Sequence, residues 1–522
     1  MTAENARPQD HHHFLELKHN AVGLWGDFTV SIANVAPSSS VAFTLALLVS
    51  FAGHVSPLAV LIVGAAMFLV SMGYSSLNRW KAHAGAPYVW VGEATRPAIG
   101  LGTGFLNALT STLANVGNIT LAGAYLLFVV APHTTFSKPV TWIVATVIMG
   151  VLLWLSIRGI KPSVRVQVAF IVIEYGAMIS FVILALLHEA SHTGGAVLPS
   201  LSDFTISKAV AGVGGVKGLA EAAVPCGFLY LGWEATAVLG EESTRQNVHP
   251  GRAMMMGTVF LTIWYTFLML VFEGVSSEGQ ILSHGSDVLA YAGTLLVPGF
   301  LGRALPLAVL VAVLGTSQIQ MTEPSRVLYA MARDRLIPKL FGFLHSSHRT
   351  PVWSLAILAA IPPALLIPYL ASESANRAIG DVISASGMLG LFMYFTIAVS
   401  SVWFYRRHLR SSPAALFGIG ILPLLGGLFM GVIFFYGLTT QSAAVAWVSV
   451  VGVVLVYILG LVVALTRRDS PFLVELRSGH MSEVMGANGP STGDGAAPEP
   501  SPAGPRRRGR RARHGCGSGE SA

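Results

Sequence analysis

Apolar residues run along this chain in blocks of about 20 or more, separated by short segments that carry most of the charge. A helix rises 1.5 Å per residue, so about 20 apolar residues cross the ~30 Å hydrocarbon core of a bilayer. The pattern predicts twelve membrane-crossing helices. The first six lie near residues 22–51, 56–77, 99–131, 140–158, 165–187 and 218–242, and the second six near 253–275, 298–325, 352–370, 377–405, 415–437 and 443–465. Composition agrees. Of 522 residues, 53% are hydrophobic and 11% charged, against about 25% charged in an average soluble domain, which excludes an ordinary soluble enzyme. Cys226 and Cys516 are the only cysteines, too few for a disulfide framework.

Lysine and arginine concentrate in cytoplasmic loops. With the N-terminus inside, all but five of the 32 basic residues fall on the cytoplasmic side; Lys138, Lys208, Lys217, Arg303 and Arg377 are the exceptions. Both termini are therefore expected in the cytoplasm, with the plasma membrane as the lipid partner. The first 20 residues are polar and the first apolar run is too long for a signal-peptide core, so the first span is expected to be its own insertion signal. The net charge of +7 is spread between apolar runs rather than gathered on a folded face, so no nucleic-acid partner is expected. Residues 466–522, rich in Gly, Pro, Ala and Ser, have the composition of a disordered tail. Its basic cluster Arg506–Arg513 reads as solvated or as touching anionic lipid heads, and the run His11, His12, His13 as solvated rather than as a metal site.

Two spans are interrupted. In the first, Asn34-Val35-Ala36-Pro37-Ser38-Ser39-Ser40 places a proline and four small polar side chains near mid-span. In the sixth, Tyr230-Leu231-Gly232-Trp233-Glu234 sets a glycine beside a carboxylate at similar depth. Proline removes a backbone donor, and unwound backbone inside a membrane survives where it lines a cavity. Paired interruptions opening two five-span halves are the mark of an inverted-repeat transporter. The half-helix N-termini suit a carboxylate and the unwound carbonyls an ammonium, so a zwitterion would be held at both ends. The expected organisation is an N-terminal segment 1–20, a first repeat 21–187, an external loop 188–217, a second repeat 218–405, two further spans 406–465 and the tail 466–522.

Charge inside the bilayer is costly and marks function. Glu174 in span 5, Glu234 at the span 6 break and Glu323 in span 8 qualify. Glu234 and Glu174 are the candidates for taking up a proton. Arg326, one turn after Glu323, suggests an intrahelical ion pair, and Asp27, Glu241 and Glu242 lie where water, Arg245 or Arg252 can reach them.

Four segments together resemble the amino acid–polyamine–organocation permeases, over residues of about 20–465. Val35-Ala36-Pro37 resembles the Ala-Pro break of bacterial members. Ala84-Gly85-Ala86-Pro87-Tyr88-Val89-Trp90-Val91 is similar to the segment after span 2, with Ala86 where a second glycine is common. Phe228 through Glu234 and on to Gly240-Glu241-Glu242 resembles the span 6 signature, with Trp233 in place of Phe. Ser325 through Asp334, followed by Leu336-Ile337-Pro338 and Thr350-Pro351, resembles the end of span 8. The resemblance implies an all-α, leucine-transporter-like five-plus-five inverted repeat that works by alternating access. It implies a substrate carboxylate on backbone N–H groups near Val35, Ala36, Ser38 and Ser39, and an amino group on carbonyls near Phe228 and Leu231. It also implies an aromatic lid from Phe228, Tyr230 or Trp233 beside Gly232. Thr316 and Ser317 match hydroxyl positions that hold sodium in sodium-coupled relatives, and ordinary backbone bonding within the helix is their plainer role. The lysine that replaces sodium in some proton-coupled members is absent from span 5.

His188-Glu189-Ala190-Ser191-His192 fits H-E-x-x-H, the metalloprotease pattern, but Thr193-Gly194-Gly195 follows at once and no third ligand is evident. The expectation is a permease for amino acids, neutral ones in preference to acidic, working by proton-coupled symport or by exchange, with protons rather than sodium as the coupling ion, and without cofactor or catalytic residue. A same-fold symporter of nucleobases, polyamines or other organic cations is the alternative. Asn115 and Asn118 in span 3, and Gln318 and Gln320 in span 8, are candidates either for lining the pocket or for tying helices together.

Overall fold

A computed structural model describes residues 16–131, 134, 136–191, 215–284, 289, 291, 304–370 and 375–478. Every long element among them is helical. Ten helical stretches are long and apolar enough to cross a membrane, and the first of them, Leu24–Trp80, contains three helices. These are α1 (Leu24–Ala33), α2 (Pro37–Ala52) and α3 (Ser56–Trp80). A short α4 (Ala86–Ala94) and the long α5 (Pro97–Val130), α6 (Lys138–Ile157) and α7 (Ile160–Ser191) follow. Next come α8 (Gly215–Leu229), a 3₁₀ segment Trp233–Glu242, α9 (His249–Val275) and the short α10 (Glu278–His284). The remainder is α11 (Ala304–Arg333), α12 (Val352–Leu365), α13 (Ala375–Tyr405), α14 (Leu422–Thr440), α15 (Ala443–Thr466) and α16 (Pro471–Ser478).

The interrupted helices form the centre. The α1–α2 pair packs along α8 and the 3₁₀ segment, with α3, α5, α7, α9, α11 and α13 around them. In an apolar 18-residue stretch within Gly215–Glu242, 94% of the residues are buried, and in one within Leu305–Arg333 89%, against 22% within Lys138–Ile157 and within Ala443–Thr466. The last two are thus peripheral: Val147, Trp154, Trp447 and Leu455 turn outward, where lipid rather than protein would cover them. Most of the expected boundaries lie within a few residues of a helix end, with α3 running on to Trp80 and α5 starting at Pro97. Span 8, expected at 298–325, runs on to Arg333, and the span expected at 352–370 has its long helix over Val352–Leu365, shorter than the ten. One expectation is corrected. The tail from residue 466 does not lose structure at once, because Pro471–Ser478 is a helix with Leu473 wholly buried. Residues beyond 478 lie outside the described residues.

Candidate functional site

Both interruptions have a backbone cause. Ala36, just before Pro37, adopts φ 47°, the left-handed region that costs a residue with a Cβ about 1–2 kcal/mol. Pro37 has no N–H to continue the α1 ladder, so it starts α2 instead, where the fixed φ of proline is suited to a first turn. In the partner helix Gly232 turns the chain with φ 119°. A Cβ there would lie 2.8 Å from Asn34 Nδ2 and 2.9 Å from Asn34 O, so glycine is required both for the turn and for the approach of the two breaks.

The breaks are bonded to each other. Asn34 Nδ2 donates to Gly232 O at 3.0 Å, and Ser31 Oγ to Trp233 O at 2.7 Å. Of the residues expected to bind substrate, Val35, Ala36, Ser38 and Ser39 are buried at the α2 terminus. Their hydroxyl neighbours fold back onto the unwound carbonyls: Ser40 Oγ donates to Val35 O and Ser39 Oγ to Ala36 O. Phe228, Leu231 and Gly232 stand opposite, with the Phe228 ring edge-on to Phe43 at 5.8 Å. A cavity of about 320 Å³ lies above these two rings, lined by Phe43, Thr44, Phe51, Val224, Phe228 and Asp381 among others. Of the three aromatics expected as a lid, Phe228 lines this cavity. Tyr230 and Trp233 are not among its lining residues. The Tyr230 hydroxyl donates to Val60 O at 3.0 Å, beside Tyr265, and Trp233 stacks on Tyr394 at 5.4 Å against Tyr74.

The three mid-span acids are buried, and among the described residues none is hydrogen-bonded to a basic side chain. Glu234 Oε2 accepts from Tyr394 Oη at 2.6 Å and from Gly232 N at 3.1 Å. Glu323 Oε1 accepts from Asn107 Nδ2 at 2.7 Å and Oε2 from Asn34 Nδ2 at 3.4 Å. Asn34 thus links the break at Gly232 to the acid of α11. Glu174 Oε1 accepts from both Ser38 N and Ser38 Oγ, each at 2.9 Å. The expected Glu323–Arg326 pair is corrected: Arg326 Nε donates to Glu242 Oε2 at 3.1 Å, both side chains being buried. Arg326 lies one turn beyond Glu323 but is drawn to the 3₁₀ segment, where a second carboxylate meets it. A cavity of about 20 Å³, water-sized, lies beside Glu323 between Val30, Ser163, Gln167 and Gln318.

Thr316 and Ser317 are both buried in α11. Thr316 Oγ1 donates to Ala33 O at 3.0 Å and ties α11 directly to the end of α1. The four amides bind helices to one another. Asn115 donates to Ser317 O and Asn118 to Gln320 Oε1, while Gln167 of α7 donates to Gly315 O and to Gln318 Oε1. His188 and Glu189 fall in the last turn of α7, but their side chains and His192 lie outside the described residues.

The end of the molecule that carries Lys81, Arg158 and Arg333, called here the basic face, is closed by a polar network. Arg333 grips Glu241 through two bonds of 2.8 Å and reaches His83 Nε2 at 2.8 Å. Ala84 N donates to the same carboxylate, Asp27 accepts from Ser243, and Tyr88 donates to Asp334. The backbone strand before α1 bonds there too, Ala21 N and Val22 N to Glu242 O and Thr244 N to Val22 O. Glu241 and Glu242 are therefore held by Arg333 and Arg326 rather than by Arg245 or Arg252, as the spacing had suggested. Burial and the neighbouring guanidinium push the His83 imidazole down to about 3, and burial holds the Asp334 carboxyl above the usual carboxylate range. This network's partners lie 84 to 250 positions apart, so no local spacing marks their pairing. The Ala84–Val91 and Ser325–Asp334 segments had nevertheless marked its components.

Comparison with known proteins agrees with this architecture. Residues 23–462 match the amino acid permease family. The branched-chain amino acid permease BcaP of Lactococcus lactis is 22% identical over 74% of this chain and 81% of its own. The serine/threonine exchanger SteT of Bacillus subtilis is 24% identical over 38% of this chain and 43% of its own. The lysine-specific permease LysP of Escherichia coli is 24% identical over 56% and 60%. With a family match across nearly the whole helical region and two interrupted helices at its centre, this chain belongs to the amino acid permease family, a family of membrane transporters and not of enzymes.

Proposed function

We propose that the protein is a secondary active transporter that moves amino acids across the plasma membrane by alternating access, by proton-coupled symport or exchange. The basic face is cytoplasmic in this reading, as the charge distribution implies, and the cavity above Phe43 and Phe228 is the outer vestibule. The α2 terminus and the carbonyls near Phe228 and Leu231 receive the zwitterion. The observation that carries the coupling is the set of buried carboxylates with no basic side chain bonded to them among the described residues. An isolated charge in such surroundings costs several kcal/mol, so Glu174, Glu234 and Glu323 are places where a proton is held during the cycle. The Thr316–Ala33 bond supports protons over sodium, because the hydroxyl already joins the two elements that a cation between span 1 and span 8 would join. The apolar surroundings and the lack, among the described residues, of a basic side chain bonded at the breaks favour neutral over acidic substrates.

Uptake of a radiolabelled panel into proteoliposomes, with and without an inward proton gradient and with sodium replaced, tests this reading. Accumulation of amino acids only under the gradient is the expected result. Glu234→Gln should reduce gradient-driven uptake at least tenfold while leaving exchange across the membrane within about threefold. Equal loss of both would make Glu234 structural or a direct substrate ligand. A second reading rests on the same acids: three buried carboxylates also suit an organic cation without a carboxylate of its own. Uptake of polyamines or nucleobases in place of amino acids would favour it.

A further inference from the structure

Of the donors that open α2, both of those on Ser38 are already occupied by a carboxylate of this chain. Pro37 has no N–H, Ser40 N bonds back to Ala36 O, and both donors of Ser38, the amide and the hydroxyl, converge on Glu174 Oε1 at 2.9 Å. Glu174 is 2% exposed and comes from α7, 136 residues away in sequence. A carboxylate taking two donors at a helix N-terminus is in the arrangement that stabilises its charge. It is also the arrangement that the carboxylate of an amino acid would need.

We propose that Glu174 is a built-in competitor for the substrate carboxylate, so that an amino acid binds only after Glu174 has taken a proton and released Ser38. This rests on the amino acid reading above and deepens it. The exchange balances: a proton from solution forms an O–H bond on the Glu174 carboxylate, its two bonds from Ser38 break, and the same two donors close on a substrate oxygen. On release the substrate leaves, Glu174 returns its proton to solution and again accepts from Ser38. One carboxylate replaces another at the terminus, so two negative charges never share one pair of donors, and each carboxylate bound brings one proton with it. An amine without a carboxylate leaves Glu174 in place and needs no such proton.

The titratable groups facing Glu174 are few. Tyr175 adjoins it on α7 and Tyr265 faces it from α9, with Tyr230 of α8 behind Tyr265. α2 carries none, and α6 none between Lys138 and its C-terminal end. The other acids of the packed elements have their own partners: Asp27 of α1 with Ser243, Glu323 of α11 with Asn107 and Asn34, Glu273 of α9 with Ser56, and Glu234 of the 3₁₀ segment with Tyr394.

The test is equilibrium binding to the purified full-length protein from pH 5.5 to 8.5. The probes are radiolabelled L-leucine, L-serine and L-lysine, and the corresponding decarboxylated amines isopentylamine, ethanolamine and cadaverine. For wild type, affinity for the amino acids should fall about tenfold per pH unit along the alkaline limb, as uptake of one proton requires, whereas amine binding should not follow that slope. Glu174→Gln and Glu174→Ala should both flatten the slope. Glu174→Ala, which clears the terminus, should bind amino acids at pH 8.5 at least tenfold more tightly than wild type. A slope that persists in both variants, or amino acid affinity at pH 8.5 no better in Glu174→Ala than in wild type, overturns the role of Glu174 alone. Failure of every amino acid to bind wild type at any pH overturns the amino acid reading, and this inference with it. Unchanged thermal unfolding of Glu174→Gln identifies a folded variant, and the two substitutions differ in volume, so a packing defect in one does not decide the result.

Discussion

At the scale of single residues, the site depends on two backbone positions that break the rules of a membrane helix. Ala36 accepts left-handed backbone, and Gly232 at φ 119° lets Asn34 approach to within hydrogen-bond distance of its carbonyl. Gly232→Ala should add about 1–3 kcal/mol of strain and force the breaks apart. Thermal unfolding should shift down by several degrees and transport should drop at least tenfold. Gly150→Ala is the matching control, since a Cβ at that position in α6 meets nothing within 4 Å; it should leave both measurements within error. The proline and glycine that interrupt the spans were legible in the sequence, because each type has one backbone effect wherever it stands. The partners of the acids were not. Tyr394, Asn107 and Ser38 reach Glu234, Glu323 and Glu174 from other helices, and no local spacing announces such bonds.

At the scale of elements, α4, the end of α11 and the end of the 3₁₀ segment close the basic face around Arg333, Glu241 and His83. The closed arrangement keeps the His83 imidazole neutral, with its affinity for a proton pushed down to about 3 from the ordinary 6.5 by burial and by Arg333. Opening to water returns it toward 6.5 and so takes up a proton. Acid therefore favours the open form, with an effect that grows as pH falls below about 6.5 and vanishes above it. Solvent accessibility of a cysteine introduced at Ala84, in a chain with Cys226 and Cys516 replaced, should rise between pH 7.5 and 5.5. His83→Gln should remove most of that rise. An unchanged rise in the variant would place the pH response elsewhere in the network. The sequence carried the elements of this closure as recognisable segments, but their pairing contradicted the nearest-neighbour expectation: Arg326 left Glu323, one turn away, for Glu242.

At the scale of the whole molecule, the polar chain after the last long helix re-enters the fold. Phe472 of α16 meets the Tyr88 ring edge-on at 5.4 Å, Leu473 is fully buried, and Ser470 Oγ donates to Asp334 O at 2.7 Å. The start of the tail is thereby tied to α4 and to the segment that follows Arg333. Phe472→Ala should lower the local opening free energy there by about 3–5 kcal/mol. Amide exchange over 86–94 and 471–476 should then quicken about 30-fold or more, with α1 and α2 unaffected. Equal acceleration across the molecule would mean that α16 supports the global fold rather than one face.

The class of this protein is written in one dimension. Apolar blocks of bilayer length, the one-sided distribution of Arg and Lys, and two interrupted spans are one-dimensional signals, since length, charge and the absence of a proline N–H act wherever the chain goes. Tertiary structure decided which acid meets which partner, that Phe228 rather than Tyr230 or Trp233 faces the cavity, and that a carboxylate of α7 sits on the α2 terminus. Those outcomes depend on helices brought together from distant parts of the chain. The helix faces that meet are selected by packing and by the cost of leaving a buried polar group unpaired, and neither term can be evaluated until the neighbouring helix is in place.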